Sequence, residues 1–162
     1  MRFTISKPHS TTEAQLVYKT EDYAFDSEPR PTGCAYAVSV NEVELMIDEE
    51  QSRVVFVTGY CPYHSWRLAR LTPPHSTRGM LHFVAEEGLI PGQTKKITSR
   101  ESRWAVFVDP TNGWVCLGSH GDRGPAVEFA PGCIAVLHND QLVAIWLHPD
   151  DLPADVKKQL PV

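Results

Sequence analysis

The chain has 162 residues, a mass of 18.1 kDa and a formal charge of −5, with 42% hydrophobic and 22% charged residues. This length fits one domain whose core is large enough to need no disulfide or metal for stability. The composition excludes intrinsic disorder, collagen-like repeats and coiled coils, and the acidic balance argues against a protein that mainly binds nucleic acid.

The first 33 residues are predicted to be mostly irregular. A capping-box pattern at residues 10–13 favours a short helix over residues 14–19. Val17 and Tyr18 also suit a strand, so both alternatives stay open. Two prolines and a glycine within residues 28–33 then break any regular element.

From Cys34 to His148 the pattern is that of a β core. Residues 35–40 are rich in strand-forming side chains, and apolar and polar residues alternate over 43–48, as in a half-buried strand. Residues 54–57 are apolar on both faces, which is typical of a central strand.

The middle of this core is less regular. Residues 64–71 are predicted to form one or two helical turns before a pair of prolines. Residues 76–88 favour a second helix, because their apolar side chains fall on one stripe and Gly88 would end it. The alternation of Leu81 and Phe83 fits a strand as well, so this alternative also stays open.

The last third of the core contains two hairpin signals. Pro110 and Gly113 lie in a turn over residues 109–113 that separates two apolar strands. Asn139 and Asp140 form a two-residue turn between two further strands, since both residues tolerate the left-handed backbone conformation that such turns require.

These elements predict an all-β fold, an antiparallel barrel or sandwich of about eight to ten short strands with two or three short helices. We expect one domain over residues 1–162, with an irregular segment at 1–33, a β core at 34–148 and a terminal helix at 150–160. Sheet proteins tend to place their binding residues in irregular connections, so candidate site residues are sought there.

The segment 61–66, Cys-Pro-Tyr-His-Ser-Trp, carries the most distinctive pattern in the chain. It resembles the second ligand box of the Rieske iron–sulfur proteins, which supplies one cysteine and one histidine to a cluster. That family also needs an upstream Cys-x-His box, whereas Cys34 is followed here by Ala35 and Tyr36. Since a two-iron cluster needs four protein ligands, we expect no iron–sulfur cluster.

Cys61 and His64 are nevertheless the candidate catalytic residues. Their spacing could supply half of a zinc site, with His75, His82 or His120 completing it. Cys61 could instead act as a thiol nucleophile with His64 as its base, because the start of a helix lowers a thiol pKa. The simplest alternative is a buried thiol followed by a histidine in a turn. We therefore assign no metal site and no cofactor.

The four cysteines include no Cys-x-x-Cys pair and predict reduced thiols in a cytoplasmic protein. The N-terminal residues lack the apolar stretch of a secretory signal, and the longest apolar runs are only of strand length. Cys116 and Cys133 alternate with apolar residues, so we expect both to be buried, unpaired and unreactive.

Charge is unevenly distributed along the chain. Residues 62–104 carry seven basic and three acidic side chains, whereas the rest of the chain carries eight and seventeen. A local positive field in an acidic protein favours a small anion or an acidic partner. The glycine-rich loop at 118–125 adds backbone amides that can receive an anion. The candidate ligand-binding residues are Arg67, Arg70, Arg103, His120 and Arg123, with Arg100 beside them.

The first hairpin suggests how two of these residues meet. If Asp109 pairs with Trp114 across the turn, Arg103 comes close to Ser119 on the neighbouring strand. This register predicts that Arg103 and His120 open onto one concave surface and form an anion pocket with the loop amides.

The best-supported function is therefore that of a non-enzymatic β domain that binds a small anionic or aromatic molecule, or an acidic partner. We expect no nucleic-acid or membrane partner. One alternative is a small metal- or thiol-dependent enzyme that uses Cys61 and His64. Another is an interaction protein without ligand chemistry, such as a subunit of a homo-oligomer.

Overall fold

A computed structural model describes residues 1–8, 13–84 and 90–158 of the chain. These residues are mostly in strands, with 3-10 turns at Thr20–Asp22 and Tyr63–Ser65 and one turn of α-helix near the C-terminus. The elements are β1 (Arg2–Ser6), β2 (Gln15–Lys19), β3 (Ala24–Glu28), β4 (Cys34–Val40), β5 (Val43–Asp48), β6 (Val54–Tyr60), β7 (Arg67–Leu68), β8 (Thr77–Arg78), β9 (Met80–Val84), β10 (Thr94–Lys96), β11 (Val106–Asp109), β12 (Trp114–Gly118), β13 (Ala126–Ala130), β14 (Cys133–His138), β15 (Gln141–Leu147) and α1 (Ala154–Lys157).

Two large sheets and one two-stranded ribbon contain these strands. The first sheet has the order β10-β4-β5-β6-β3-β2, and the second has the order β7-β11-β12-β15-β14-β13-β8. Neighbouring strands run antiparallel except for three parallel edge pairs, β10 with β4, β7 with β11 and β8 with β13. Because each sheet ends in edge strands, the described residues form an open sandwich and not a closed barrel.

Side chains from the facing sides of the two sheets form one core. Leu45 points inward from the six-stranded sheet, and Val115 and Ile145 point inward from the seven-stranded sheet, all fully buried. Full burial of such a side chain contributes about 1.5–3 kcal/mol. The ribbon of β1 and β9 packs against both sheets, and the Phe3 and Phe83 ring centroids lie 5.5 Å apart within the core.

Both predicted hairpins are confirmed. β11 and β12 pair in the expected register, with Asp109 opposite Trp114, and Gly113 adopts a φ of 83° in the turn. Asn139 and Asp140 join β14 to β15 with φ values of 51° and 63°. These turns set the strand register because their residues take the left-handed conformation at low cost.

A strap formed by residues 69–76 crosses the outer face of the seven-stranded sheet. It links β7 to β8, two short strands at opposite edges of that sheet. Leu71 is buried against a second apolar cluster on this face, the face turned away from the core. Asp109 accepts a hydrogen bond from the Leu71 amide at 2.9 Å, and Arg123 donates one to the Thr72 carbonyl at 3.2 Å. The strap is therefore held by both packing and polar contacts.

The prediction of two or three helices is wrong for the described residues. They contain a single α-helix, α1, which covers one turn of the terminal helix expected at 150–160, and residues 159–160 lie outside the described part of the chain. Residues 64–71 contain a 3-10 turn and the short strand β7. β7 ends at Leu68, before the chain reaches Pro73 and Pro74, so the prolines do not set the end of a regular element here.

Residues 14–19 form a strand and not a helix. β2 pairs along its whole length with β3, and the side chains of Leu16 and Tyr18 lie in the core. The capping-box positions 10–12 lie outside the described residues. Three strands, β1 to β3, thus occupy the segment 1–33 that the sequence predicts to be irregular. β1 pairs with the distant β9, whereas β2 and β3 form a hairpin whose left-handed turn residue is Tyr23, which gives no turn signal in the sequence.

Residues 76–88 also form strands where they are described. β9 pairs with β1, so that Leu81 lies opposite Ile5 and Phe83 opposite Phe3. Gly88, the expected helix stop, lies outside the described residues. Pairing with a strand more than 70 residues upstream overrides the local helical pattern, as tertiary context commonly does for short elements.

Candidate functional site

Cys61 lies directly after β6 and is enclosed by aromatic side chains. Its amide donates a hydrogen bond to the Tyr23 carbonyl at 2.7 Å, and its carbonyl accepts one from the Tyr18 hydroxyl at 2.7 Å. The Trp66 indole N–H donates to the Cys61 sulfur at 3.4 Å. The residue is only 5% exposed, and burial raises the pKa of its thiol to about 12 despite the Trp66 contact. Such a thiol is protonated at neutral pH and has the environment of a structural cysteine.

His64 lies on the surface beside this cysteine. Its ring stacks on Tyr63 with 4.2 Å between centroids and lies 5.3 Å from the ring of Tyr23. The hydrogen bond to the Cys61 sulfur comes from Trp66, so His64 does not occupy the position of a base. The geometry therefore gives little support to a thiol enzyme.

The histidines that could complete a zinc site are dispersed. His82 contacts the Gln51 carbonyl at 3.1 Å, His75 lies in the strap, and His120 lies in the glycine-rich loop. Within residues 1–8, 13–84 and 90–158, no three His, Cys, Asp or Glu side chains are grouped closely enough to hold a metal ion.

We expect Cys34 to be the readily modified thiol of the native protein. It is partly exposed, whereas Cys61, Cys116 and Cys133 are buried and unpaired, as predicted for the last two, and burial raises the pKa of each thiol. Titration of the native protein with a colorimetric disulfide reagent at pH 8 should modify Cys34 first, and the Cys34→Ser variant should react only after unfolding. Rapid modification of the native variant would contradict the burial of the other three.

Arg103 is bound to Glu42 at the edge of a polar groove. The guanidinium donates two hydrogen bonds to the carboxylate, at 2.6 and 2.8 Å. These bonds hold the pKa of Glu42 below its ordinary value. The groove has a volume of about 480 Å³ and is lined by Ser39, Asn41, Glu42, Glu44, Thr94, Lys96, Thr98, Ser99, Arg100 and Arg103. We call it the polar groove.

The strands β4, β5 and β10 form the floor of the polar groove. Ser39 pairs with Glu44 across β4 and β5 and with Lys96 across β4 and β10. Residues paired in this way point to the same face, so the three side chains form a row on the outer face of the six-stranded sheet. Val38 and Val40 point to the opposite face and anchor β4 in the core.

Asn41 connects two parts of the polar groove. It lies in the turn between β4 and β5, and it hydrogen-bonds to the segment 98–104, which forms the wall of the groove. Its side chain donates to the Trp104 carbonyl and accepts from the Trp104 amide, both at 3.0 Å, while its backbone amide donates to the Thr98 hydroxyl at 2.6 Å. These three bonds fix the segment that carries Arg100 and Arg103. Asn41 adopts a φ of 54°, a left-handed conformation that asparagine tolerates in tight turns.

Arg67 and His120 lie on the other sheet. Arg67 is the register partner of Phe107 at the edge of the seven-stranded sheet, and the Phe107 ring packs edge-on against His120 with 4.6 Å between centroids. Arg103 instead lines the polar groove, because Asn41 draws the chain before β11 towards the β4–β5 turn. The hairpin register is correct, but Arg103 and His120 lie on different surfaces.

Arg123 and Arg70 belong to the attachment of the strap. Arg123 donates to backbone carbonyl groups, among them that of Thr72. Arg70 lies in the strap and contributes to lowering the pKa of Asp109. Arg123 therefore has a structural role in holding the strap, whereas Arg70 interacts with Asp109 only through its charge.

Besides the groove of about 720 Å³ between the strap and the β11–β12 turn, two surfaces of the described residues concentrate side chains that can contact a ligand. They are the polar groove and a group of aromatic rings formed by Tyr23, Tyr63 and His64. In the described part of the chain, no helix has the length and apolar character needed to cross a membrane. No protein-family model matches the chain, and no curated protein is significantly similar to it.

Proposed function

We propose that the protein binds a small hydroxylated anion, of the class of sugar phosphates and sugar acids, in the polar groove. The observation that carries this proposal is the convergence of Lys96, Arg100 and Arg103 on one concave surface. All three come from the segment 62–104 that holds the basic surplus of the sequence. The volume of about 480 Å³ is in the range of small-molecule sites, about 300–1,000 Å³.

The three basic side chains of the polar groove differ in whether they already have an acidic partner. Arg103 is already bound to Glu42 through both of its terminal nitrogens. Among the described residues, Lys96 and Arg100 have no carboxylate within ion-pair distance, although Lys96 lies close enough to Glu42 to help lower the pKa of that carboxyl. A guanidinium and an ammonium together suit one carboxylate or phosphate group, which they bind through charge-assisted hydrogen bonds.

The other lining groups favour a ligand that also carries hydroxyl groups. Thr94 is exposed and offers a hydroxyl group that both donates and accepts, whereas Ser39 and Thr98 are only 4% and 6% exposed and Thr98 already accepts from the Asn41 amide. Glu44 adds a carboxylate that can accept a hydrogen bond from a ligand hydroxyl. The same carboxylate disfavours a polyanion, so the groove does not fit a nucleic-acid backbone.

Ligand binding can be measured by calorimetry and by thermal melting. Glucose 6-phosphate and gluconate serve as probes, with glucose and inorganic phosphate as controls, all at matched ionic strength. A probe at 100 times its dissociation constant should stabilise the native protein by about 2.7 kcal/mol. Arg100→Ala and Lys96→Ala should each weaken binding about tenfold, because each removes a charge-assisted hydrogen bond.

The matched control is Arg78→Ala. Arg78 is an exposed arginine on the other sheet, paired with Glu128 at 3.3 Å, and its removal should leave the affinity unchanged. Equal losses in the control and in Arg100→Ala would show a general charge effect and overturn the proposal. Equal binding of glucose and glucose 6-phosphate would overturn it as well.

A further inference from the structure

Three aromatic rings contact one another on the surface at one end of the sandwich. Tyr23 and Tyr63 stack with centroids 5.8 Å apart and planes inclined by 29°, and His64 packs against both rings. Tyr23 is 38% exposed and His64 is exposed, so part of each ring faces solvent. We call these three residues the aromatic platform.

The aromatic platform is built on fixed backbone. Tyr63 and His64 occupy the 3-10 turn after Cys61, and Tyr23 follows the 3-10 turn Thr20–Asp22. The Cys61 amide donates to the Tyr23 carbonyl at 2.7 Å and so joins the two turns. Tyr63 also packs edge-on against the buried Trp66, with centroids 6.5 Å apart. The rings therefore stand on a common, well-packed base.

Tyr23 occupies a backbone conformation that is unfavourable for an aromatic residue. Its φ of 52° and ψ of 41° are left-handed, where glycine and asparagine are the usual residues. Such a conformation is unfavourable for a bulky side chain, and strained positions of this kind cluster at binding sites. With 38% of the residue still exposed, burial offsets only part of this cost.

One carboxylate contacts the aromatic platform, and two further acidic residues lie next to Tyr23 in the sequence. Tyr63 donates its hydroxyl hydrogen to the Asp155 carboxylate at 3.1 Å, and Glu21 and Asp22 immediately precede Tyr23 in its turn. An exposed aromatic face beside a carboxylate attracts a cation that can shed its water, because the ring face carries negative partial charge. An alkylated ammonium group is weakly hydrated and apolar at its surface, and it matches both features.

We propose that the aromatic platform binds a trimethylammonium group through the parts of the Tyr23 and His64 rings that are not covered by Tyr63, with Asp155 providing the complementary charge. The group can belong to a small molecule such as choline or to a trimethylated lysine of a peptide. This site is separate from the polar groove and has the opposite charge preference. It therefore does not depend on the proposed anion binding.

Titration of the intact protein followed by NMR tests this site. The probes are choline, a short peptide with trimethyllysine, the same peptide with unmodified lysine, and 3,3-dimethylbutanol, the neutral isostere of choline. Choline should shift the resonances of Tyr23, Tyr63 and His64 in a saturable manner, and the neutral isostere should bind about tenfold more weakly or not at all. Tighter binding of the methylated peptide than of choline would assign the group to a peptide, and the reverse to a small molecule.

The Tyr23→Asn variant separates binding from folding. Asparagine tolerates the left-handed backbone, so the variant should keep its melting temperature while its choline affinity falls about tenfold. Asp155→Asn keeps an acceptor for Tyr63 but removes the charge, and it should weaken binding several-fold. Asp151→Asn is the matched control, because Asp151 is bound to Lys157 at 3.0 Å, and it should change nothing. Unchanged affinity in Tyr23→Asn, or equal binding of choline and its isostere, would overturn the proposal.

Discussion

Replacing Trp146 with alanine should lower the free energy of unfolding by about 3–5 kcal/mol. Trp146 is fully buried on the outer face of the seven-stranded sheet, where it pairs in register with Cys116 and Ile134. Leu71 of the strap belongs to the same apolar cluster. Alanine would therefore leave a cavity between the sheet and the strap, and the lost contacts would not be recovered by local collapse.

Trp146→Phe should be much less destabilising, and for a specific reason. Among the described residues, no acceptor lies within hydrogen-bond distance of the buried Trp146 indole N–H. Removing an unpaired buried donor recovers about 1–3 kcal/mol, which offsets part of the lost ring volume. Urea denaturation of both variants measures the difference, with the partly exposed Trp114→Phe as the control. Equal losses for alanine and phenylalanine would show that the N–H has a partner.

Asp109→Ala should lower the free energy of unfolding by about 2–4 kcal/mol at pH 7. The buried carboxylate accepts hydrogen bonds from the Leu71 amide at 2.9 Å and from the Thr111 amide at 3.0 Å, and also from the Thr111 hydroxyl. Alanine would leave both amides without their acceptor. It would also free the start of the strap, so faster hydrogen exchange at Leu71 should accompany the loss of stability.

The effect of Asp109 should depend on pH. Burial opposes ionisation of this carboxyl, but the hydrogen bonds from Thr111 and Leu71 outweigh burial and hold its pKa below the ordinary value. A lowered pKa in the native state stabilises the fold above the unfolded pKa of about 4, and this contribution disappears as the pH falls further. The stability difference between wild type and Asp109→Asn should thus be largest near neutrality and shrink below pH 4. Asp151→Asn, on an exposed carboxylate, should show little difference at neutral pH.

Local sequence signals predicted the parts of the fold that local chemistry decides. The turn before Trp114 and the Asn139–Asp140 turn depend on residues that tolerate left-handed backbone, and both hairpins follow from them. β2 and β9 could not be assigned in the same way. β9 pairs with the distant β1, which no local period records, and β2 pairs with β3 across a turn at residues 20–23 that has no glycine, proline or asparagine to indicate it.

The candidate sites likewise combine features that the sequence indicated with features that only the fold shows. Basic residues of the segment 62–104 do line the polar groove, which the charge distribution indicated. Glu42, the partner of Arg103, lies 61 residues before it, and nothing in the sequence connects the two. Tyr23 and Tyr63 of the aromatic platform are 40 residues apart in the sequence, so their contact is seen only in the folded chain.

The strap has a consequence for association between chains. Without β7 and β8, the strands β11 and β13 would expose rows of unpaired backbone N–H and C=O groups, the usual template for edge-to-edge aggregation. One continuous segment occupies both edges, since it pairs with β11 before it crosses the sheet and with β13 afterwards. Detachment of the strap would therefore expose the edges of β11 and β13 together. The contacts that hold the strap thus protect the protein against self-association as well as against unfolding.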